Sequence, residues 1–204
     1  RYGPVLVVQG FPRGFAHDSR SPRRNQSEQS WRCEGSSRVL FANGYLMPSH
    51  TRGIQVISEG PGESLDIGVA IGRASRVRDI IALQGDLGSG KTILAQGIAL
   101  GLGVREPVTS PSYVIVTVYR TGRQCFQHVD LYRLAGAHDL DSIDWDGLLD
   151  ESAVTVVEWP ERAGTRMPGD RLHVCLGASE TDRRAMTISA TGPRSQELLA
   201  AVQV

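Results

Sequence analysis

From residue 54 onward, short apolar runs alternate with segments whose apolar residues recur at helical spacing. Residues 79–85 (DIIALQG) form the kind of run that a buried parallel strand requires. Residues 91–103 show the pattern of a helix that ends at a pair of glycines. Residues 64–75 also predict a helix, with Ser64 as its N-cap. Further strands are predicted at 112–120, 124–133, 153–161, 170–177 and 183–192, and further helices at 138–150 and 195–203.

The order of these elements predicts an α/β fold. Strands that alternate with helices build a mostly parallel sheet with helices on both faces. The two strands on either side of Thr121-Gly122-Arg123 are the exception, because so short a connection indicates an antiparallel hairpin. We therefore expect residues 54–204 to form one α/β domain.

The first 53 residues differ from the rest of the chain. They are rich in Arg, Ser, Pro and Gly without any period, and such a composition buries too little apolar surface to offset chain entropy. The first methionine is Met47. We expect residues 1–53 to be a disordered or non-native N-terminal extension.

Charge divides the chain in the same place. Residues 1–53 hold eight arginines and three acidic residues, a net charge of +5, whereas residues 54–204 hold 14 basic and 19 acidic residues, a net charge of −5. An acidic domain is a poor non-specific DNA binder. No apolar run approaches the ~20 residues that span a bilayer, and no signal peptide is evident. We expect a cytoplasmic protein that binds neither membrane nor DNA.

The only lysine of the chain, Lys91, lies in a glycine-rich motif. Residues 85–92 (GDLGSGKT) match G-x-x-x-x-G-K-[ST] without a mismatch, between a predicted strand and a predicted helix. Glycines let backbone N–H groups converge on phosphate oxygens, and the helix N-terminus adds partial positive charge. A lysine reaches the β and γ phosphates as a compact charge, and the Thr92 hydroxyl can ligate Mg²⁺. The motif predicts a P-loop NTPase-like fold that binds nucleotide.

The motif does not decide the reaction. An ATPase, a GTPase, a small-molecule kinase and a nucleotide-sensing module without useful turnover all remain possible. The absence of an N-K-x-D signal favours ATP over GTP. A kinase would need an acceptor pocket and usually an arginine-bearing lid, and no clear lid insertion follows the predicted strand at 153–161.

Two later segments supply carboxylates. Glu158 ends a buried strand, where a carboxylate can hold Mg²⁺, although it could also face solvent. Trp159 could shield the site or belong to the core. In residues 128–133 (HVDLYR), His128 and Asp130 share one face of a strand. Asp130 could orient a water, while His128 could contact the loop or pack in the core. Arg133 could neutralise phosphate or pair with Asp139 or Asp141.

Residues 109–113 (TSPSY) follow the helix that begins at Lys91. Their position is that of a switch loop, in which the hydroxyls of Thr109, Ser110 and Ser112 become ordered near a γ-phosphate. An ordinary Ser-Pro turn before a strand would have the same sequence.

Together, GDLGSGKT, VTSPSY, HVDLYR and VVEWPER, in this order, resemble TsaE, a family of P-loop ATPases in bacterial tRNA threonylcarbamoyladenosine biosynthesis. The resemblance covers residues 58–188. It implies a small cytosolic ATPase with weak intrinsic hydrolysis that uses ATP and Mg²⁺. The implied partners are the TsaD and TsaB proteins, whose complex modifies adenosine 37, so that tRNA is met only indirectly.

The resemblance also implies roles for single residues. Lys91 would bind phosphate, Thr92 and Glu158 would hold Mg²⁺, and Asp130 would be the carboxylate needed for hydrolysis. Ser112 and Tyr113 replace the family's usual Thr and Phe but keep a hydroxyl and a ring, so a mobile switch is still implied. The residues expected to surround the nucleotide are Asp86, Leu87, Gly88, Ser89, Gly90, Lys91 and Thr92, with Trp159 as a cover.

Overall fold

A computed structural model describes residues 53–111, 115–149, 152–177 and 183–202. Their centre is a seven-stranded sheet. Its strands are β1 (Gly53–Ser58), β2 (Ile80–Gly85), β3 (Val116–Tyr119), β4 (Cys125–Asp130), β5 (Ala153–Glu158), β6 (Leu172–Leu176) and β7 (Arg184–Ala190). Residues 1–52 of the predicted N-terminal extension lie outside the described residues, whereas Gly53, its last residue, begins β1.

The strand order is β1-β7-β6-β2-β5-β4-β3. The four central strands, β6, β2, β5 and β4, are parallel to one another. Only β3 and β7 run in the opposite direction, and β3 pairs with β4 as the predicted hairpin. The predicted α/β fold with a mostly parallel sheet is confirmed.

Helices cover both faces of the sheet, but unequally. Helices α1 (Pro61–Ala74), α2 (Lys91–Gly101) and α4 (Pro193–Ala201) pack on one face, around residues such as Leu94 and Ile98. The other face is covered by short segments, a 3₁₀ helix at Ala137–Ile143 and α3 (Trp145–Leu148). Further 3₁₀ turns lie at Pro160–Arg162 and Gly164–Arg166. Helices on both faces are thus confirmed.

The beginning of the domain differs from the prediction. Strand β1 was not predicted, since it is a short edge strand whose apolar residues are only partly buried. Helix α1 begins at Pro61, which suits a first helical position because proline lacks an N–H, and Gly60 is its N-cap. Ser64 as N-cap is therefore wrong. Its buried hydroxyl instead lies 2.8 Å from the hydroxyl of Ser58 and ties α1 to β1.

Within the described residues, no helix combines the length and the hydrophobicity needed to cross a membrane.

Helices α1 and α2 touch through glycines, which predicts a sharp sensitivity to added volume. A Cβ at Gly97 would lie 2.1 Å from the carbonyl oxygen of Leu65, and one at Gly72 would lie 2.1 Å from that of Ile98. Because both contacts are with backbone, we expect Gly97→Ala to lower the free energy of unfolding by about 2 kcal/mol or more in urea titrations. Gly62→Ala is the matched control, since nothing lies within 4 Å of its Cβ. Equal stability of the two variants would contradict this packing.

The buried side chain of His173 is expected to lower the free energy of unfolding in acid. Burial, assisted by the charge of Arg171, lowers the pKa of His173 from 6.5 to about 4. The unfolded chain therefore binds a proton that the folded chain does not, and stability falls as the pH drops from about 6.5 towards 4. His173→Gln keeps a donor for Gln84, whose Oε1 lies 2.8 Å from Nε2 of His173. Between pH 7 and 4.5, we expect the variant to lose about 2 kcal/mol less unfolding free energy than the parent. Identical losses would exclude His173 as the cause.

Candidate nucleotide and metal site

Most predicted site residues meet at one edge of the sheet. The glycine-rich loop (residues 85–90) follows β2, Glu158 ends β5, and Asp130 ends β4. The register places Leu83 opposite Glu158, and Glu158 opposite Asp130. Strands β2, β5 and β4 are neighbours in the sheet, and adjacent strands are about 4.8 Å apart. The loop and the two carboxylates therefore lie close together. This is the crevice in which open α/β sheets bind ligands.

The conformation of the glycine-rich loop requires its glycines. Gly85, Gly88 and Gly90 have φ angles of 154°, 79° and 100°, a region that other residues rarely enter. A Cβ at Gly85 would also lie 2.6 Å from the carbonyl oxygen of Leu176. Helix α2 begins at Lys91, directly after the loop. The free N–H groups of its first turn therefore face the same edge.

Lys91 is 5% exposed and held close to the loop. Its Nζ donates to the carbonyl oxygens of Gly85 at 2.6 Å and Asp86 at 2.8 Å, and it lies 4.0 Å from the centroid of the Trp159 ring. Two of three ammonium donors are thus used by the loop, which leaves one for a ligand. Burial lowers the pKa of Lys91. The carboxylates that oppose this shift belong to Glu158, Glu161, Asp130 and Asp86.

Glu158 and Thr92 lie in direct contact. The hydroxyl of Thr92 donates to Oε1 of Glu158 at 3.1 Å and lies 3.3 Å from Oε2. Nε2 of His128 lies 2.9 Å from the same Oε1. A hydroxyl and a carboxylate are the hard oxygen ligands that Mg²⁺ prefers, and Mg²⁺ usually completes its shell with phosphate and water. The pair therefore fits the predicted magnesium site. No cluster of three or more ligating side chains occurs among the described residues.

Asp130, the carboxylate predicted to be needed for hydrolysis, contacts the predicted switch segment. Its Oδ2 accepts a 2.6 Å hydrogen bond from the Ser110 hydroxyl, and its Oδ1 accepts from the backbone N–H of Tyr132 at 2.9 Å. The segment before Ser110 is anchored to α2, since Gln96 donates to the carbonyl oxygen of Val108 at 2.8 Å. The structure thus brings one predicted switch hydroxyl to Asp130.

The other predicted residues are distributed less tightly. Leu87, at the tip of the loop, is 77% exposed, while Ser89 is buried. Thr109 and Arg133 are exposed, and their roles stay predictions. Both acids considered as partners of Arg133 have other contacts, Asp141 with Arg166 and Asp139 with His138. Ser112 lies outside the described residues. His128 is fully buried in the core, and its contact is with Glu158, which lies outside the loop.

Trp159 has an unusual backbone conformation. Its φ of 59° and ψ of 48° are left-handed, which for a bulky residue stores about 1–3 kcal/mol of strain. This turn ends β5 and places the ring above the ammonium of Lys91. The ring of Tyr132 lies 5.0 Å from it, centroid to centroid. Strain of this kind collects at binding sites, where the surrounding fold maintains it.

Three residues at this edge escaped prediction. Tyr132 lies in the HVDLYR motif and Glu161 in the VVEWPER motif. Nothing in the sequence distinguished them from residues that face solvent. Glu161 keeps solvent contact, yet desolvation by the surrounding protein raises the pKa of its carboxyl. Arg184 is far away in sequence, and its Nε donates to the carbonyl oxygen of Ser89 at 3.1 Å. Only the antiparallel direction of β7 brings Arg184 to the loop, so no local signal could have found it.

Known proteins are similar to this chain in sequence and in fold. The model of the family described as threonylcarbamoyl adenosine biosynthesis protein TsaE matches residues 59–186. A TsaE protein of Treponema pallidum is 32% identical over 136 residues, which cover 67% of this chain and 100% of the relative. One of Mycobacterium tuberculosis H37Rv is 39% identical over 137 residues, covering 62% of this chain and 81% of the relative.

A solved structure agrees with these matches. The crystal structure of Bacillus subtilis YdiB superimposes with a TM-score of 0.62 and 26% identity, covering 74% of this chain and 95% of YdiB. The family model spans the glycine-rich loop, Asp130, Glu158 and Arg184. The chain belongs to the TsaE family of threonylcarbamoyladenosine biosynthesis proteins.

Proposed function

We propose that this protein is a Mg²⁺-dependent ATPase that binds the TsaB–TsaD complex in the cytoplasm and supports threonylcarbamoyladenosine modification of tRNA at position 37. The observation that supports the proposal most is the meeting of Lys91, Thr92, Glu158 and Asp130 at neighbouring strand ends. A loop that only stabilised a turn would need neither a buried ammonium nor two aligned carboxylates.

Each group has a distinct task in this proposal. The N–H groups of the glycine-rich loop and the ammonium of Lys91 bind the β and γ phosphates of ATP. Thr92 and Glu158 hold Mg²⁺, which supplies positive charge against the phosphate oxygens when it is bound. Trp159 covers Lys91 and limits the access of water, which strengthens the electrostatic interactions beneath it.

In this proposal, Asp130 acts on the attacking water. It lies beside Glu158 in the register, and its charge acts on Lys91. Its Oδ2 accepts a hydrogen bond from Ser110 in the switch segment. We propose that the same carboxylate also accepts a hydrogen bond from the attacking water. We propose that the partner proteins act on the segment around Ser110, and we therefore expect hydrolysis by the isolated protein to be slow.

A pull-down of purified TsaB and TsaD tests the partner assignment. The immobilised full-length protein is expected to retain both proteins, and to retain more with ATP and Mg²⁺ than without nucleotide. Gly97→Ala, if folded, serves as a control for damage away from the sheet edge. Failure to retain either protein under any nucleotide condition would refute the assignment. ADP formation that depends on an added small-molecule acceptor would instead indicate a kinase.

A further inference from the structure

His128 has an arrangement that core packing does not explain. It is 0% exposed in the middle of β4, and its Nε2 lies 2.9 Å from Oε1 of Glu158. Its second ring nitrogen, Nδ1, is buried without a hydrogen-bond partner within the described residues. An unsatisfied buried polar atom costs free energy. An apolar side chain of similar size would avoid that cost and would pack equally well beside Phe126, whose ring centroid is 6.0 Å from that of His128.

The contact with Glu158 determines which nitrogen bears the proton. The Glu158 carboxylate accepts a hydrogen bond from the Thr92 hydroxyl, and it also faces Nε2 of His128 as an acceptor. Because a carboxylate oxygen only accepts, His128 donates to it from Nε2. One ring N–H thus points at Oε1 from the interior, while Thr92 approaches the carboxylate from the start of α2.

We propose that His128 is a positioning residue that fixes the Glu158 carboxylate in the orientation needed to bind the metal ion. The two donors hold the carboxylate plane from two sides, so Glu158 does not reorient when the ion binds. Residues that hold a metal ligand in this way change metal affinity by about 10–100-fold when they are removed. Because this role rests on the magnesium site of the proposed function, its test must separate the two.

The test compares variants that keep or remove the Nε2 donor. His128→Gln places an amide N–H near the position of Nε2, whereas His128→Met removes it at similar volume. His128→Asn is polar but too short to reach Oε1, and it replaces the methionine variant if that protein does not fold. Mn²⁺ is the probe, and its binding to the protein in the presence of excess ADP is counted by electron paramagnetic resonance. ADP affinity in EDTA is measured by calorimetry.

We expect His128→Met and His128→Asn to weaken Mn²⁺ binding by about 10–100-fold with metal-free ADP affinity unchanged. His128→Gln should stay close to the parent. In a Glu158→Gln background, removing His128 should have no further effect on Mn²⁺ affinity, because the two residues act as one unit. Unchanged Mn²⁺ binding in the donor-free variants, or an equal loss of metal-free ADP affinity, would overturn the role of His128. A parent protein whose ADP complex binds no Mn²⁺ would refute the proposed magnesium site itself.

Discussion

Replacing Lys91 with alanine is expected to weaken ATP binding by about 100-fold, because the one remaining ammonium donor makes a charged hydrogen bond worth about 1.5–3 kcal/mol and the ammonium charge also attracts the neighbouring phosphate oxygens. The fold should survive the change. Burial already lowers the pKa of Lys91, so the folded protein spends free energy to keep this ammonium charged. Calorimetric titration with ATP measures the affinity, and thermal unfolding checks the fold.

Two further substitutions separate charge from shape at this position. Lys91→Met keeps the length of the side chain beneath Trp159 but removes the charge, and it should behave like the alanine variant. Lys91→Arg keeps the charge, yet its planar guanidinium does not fit between the carbonyl oxygens of Gly85 and Asp86. We expect it to lose most of the affinity too. Unaltered ATP affinity in the alanine variant would remove Lys91 from the site.

Replacing Asp130 with asparagine is expected to leave ATP affinity within about threefold and to lower hydrolysis by about 100-fold or more, in the range for a group that accepts a proton from the attacking water. Asparagine keeps an oxygen for the N–H of Tyr132 and the approximate shape of the side chain. Asp146→Asn is the matched control, because Asp146 is exposed and pairs with Arg166, which is not among the predicted site residues. Phosphate release under single-turnover conditions gives the rate. An asparagine variant that hydrolyses ATP as fast as the parent would exclude Asp130 from the reaction.

Much of the fold could be predicted because local signals agreed with one another. The glycines, the single lysine and the apolar run before them all indicated a strand, a loop and a helix in that order, and the structure has β2 and α2 there. The hairpin from β3 to β4 was equally clear, since the short segment Thr121-Gly122-Arg123 connects two β-rich runs. The strand-end rule then predicted a ligand beside Glu158, whereas Asp130 was predicted only to share a strand face with His128, and its position at the end of β4 was not predicted.

The remaining features depend on contacts between distant parts of the chain. Strand β1 forms only because β7 offers it an edge, and Arg184 meets Ser89 only because β7 runs antiparallel. The start of α1 was misplaced because Ser64 suits an N-cap locally, while Pro61 and the contact with Ser58 decide the outcome. The His128–Glu158 pair joins two strands, and alternation along one strand could not identify its partner.

The most direct test of the proposed function is phosphate release from ATP and Mg²⁺, measured with and without the TsaB–TsaD complex. We expect slow release by the protein alone, faster release when the complex is added, and loss of the added rate with Asp130→Asn in the presence of the same complex. A complex that leaves the rate unchanged, or an Asp130→Asn variant that is stimulated as strongly as the parent, would contradict a partner-dependent ATPase at this site.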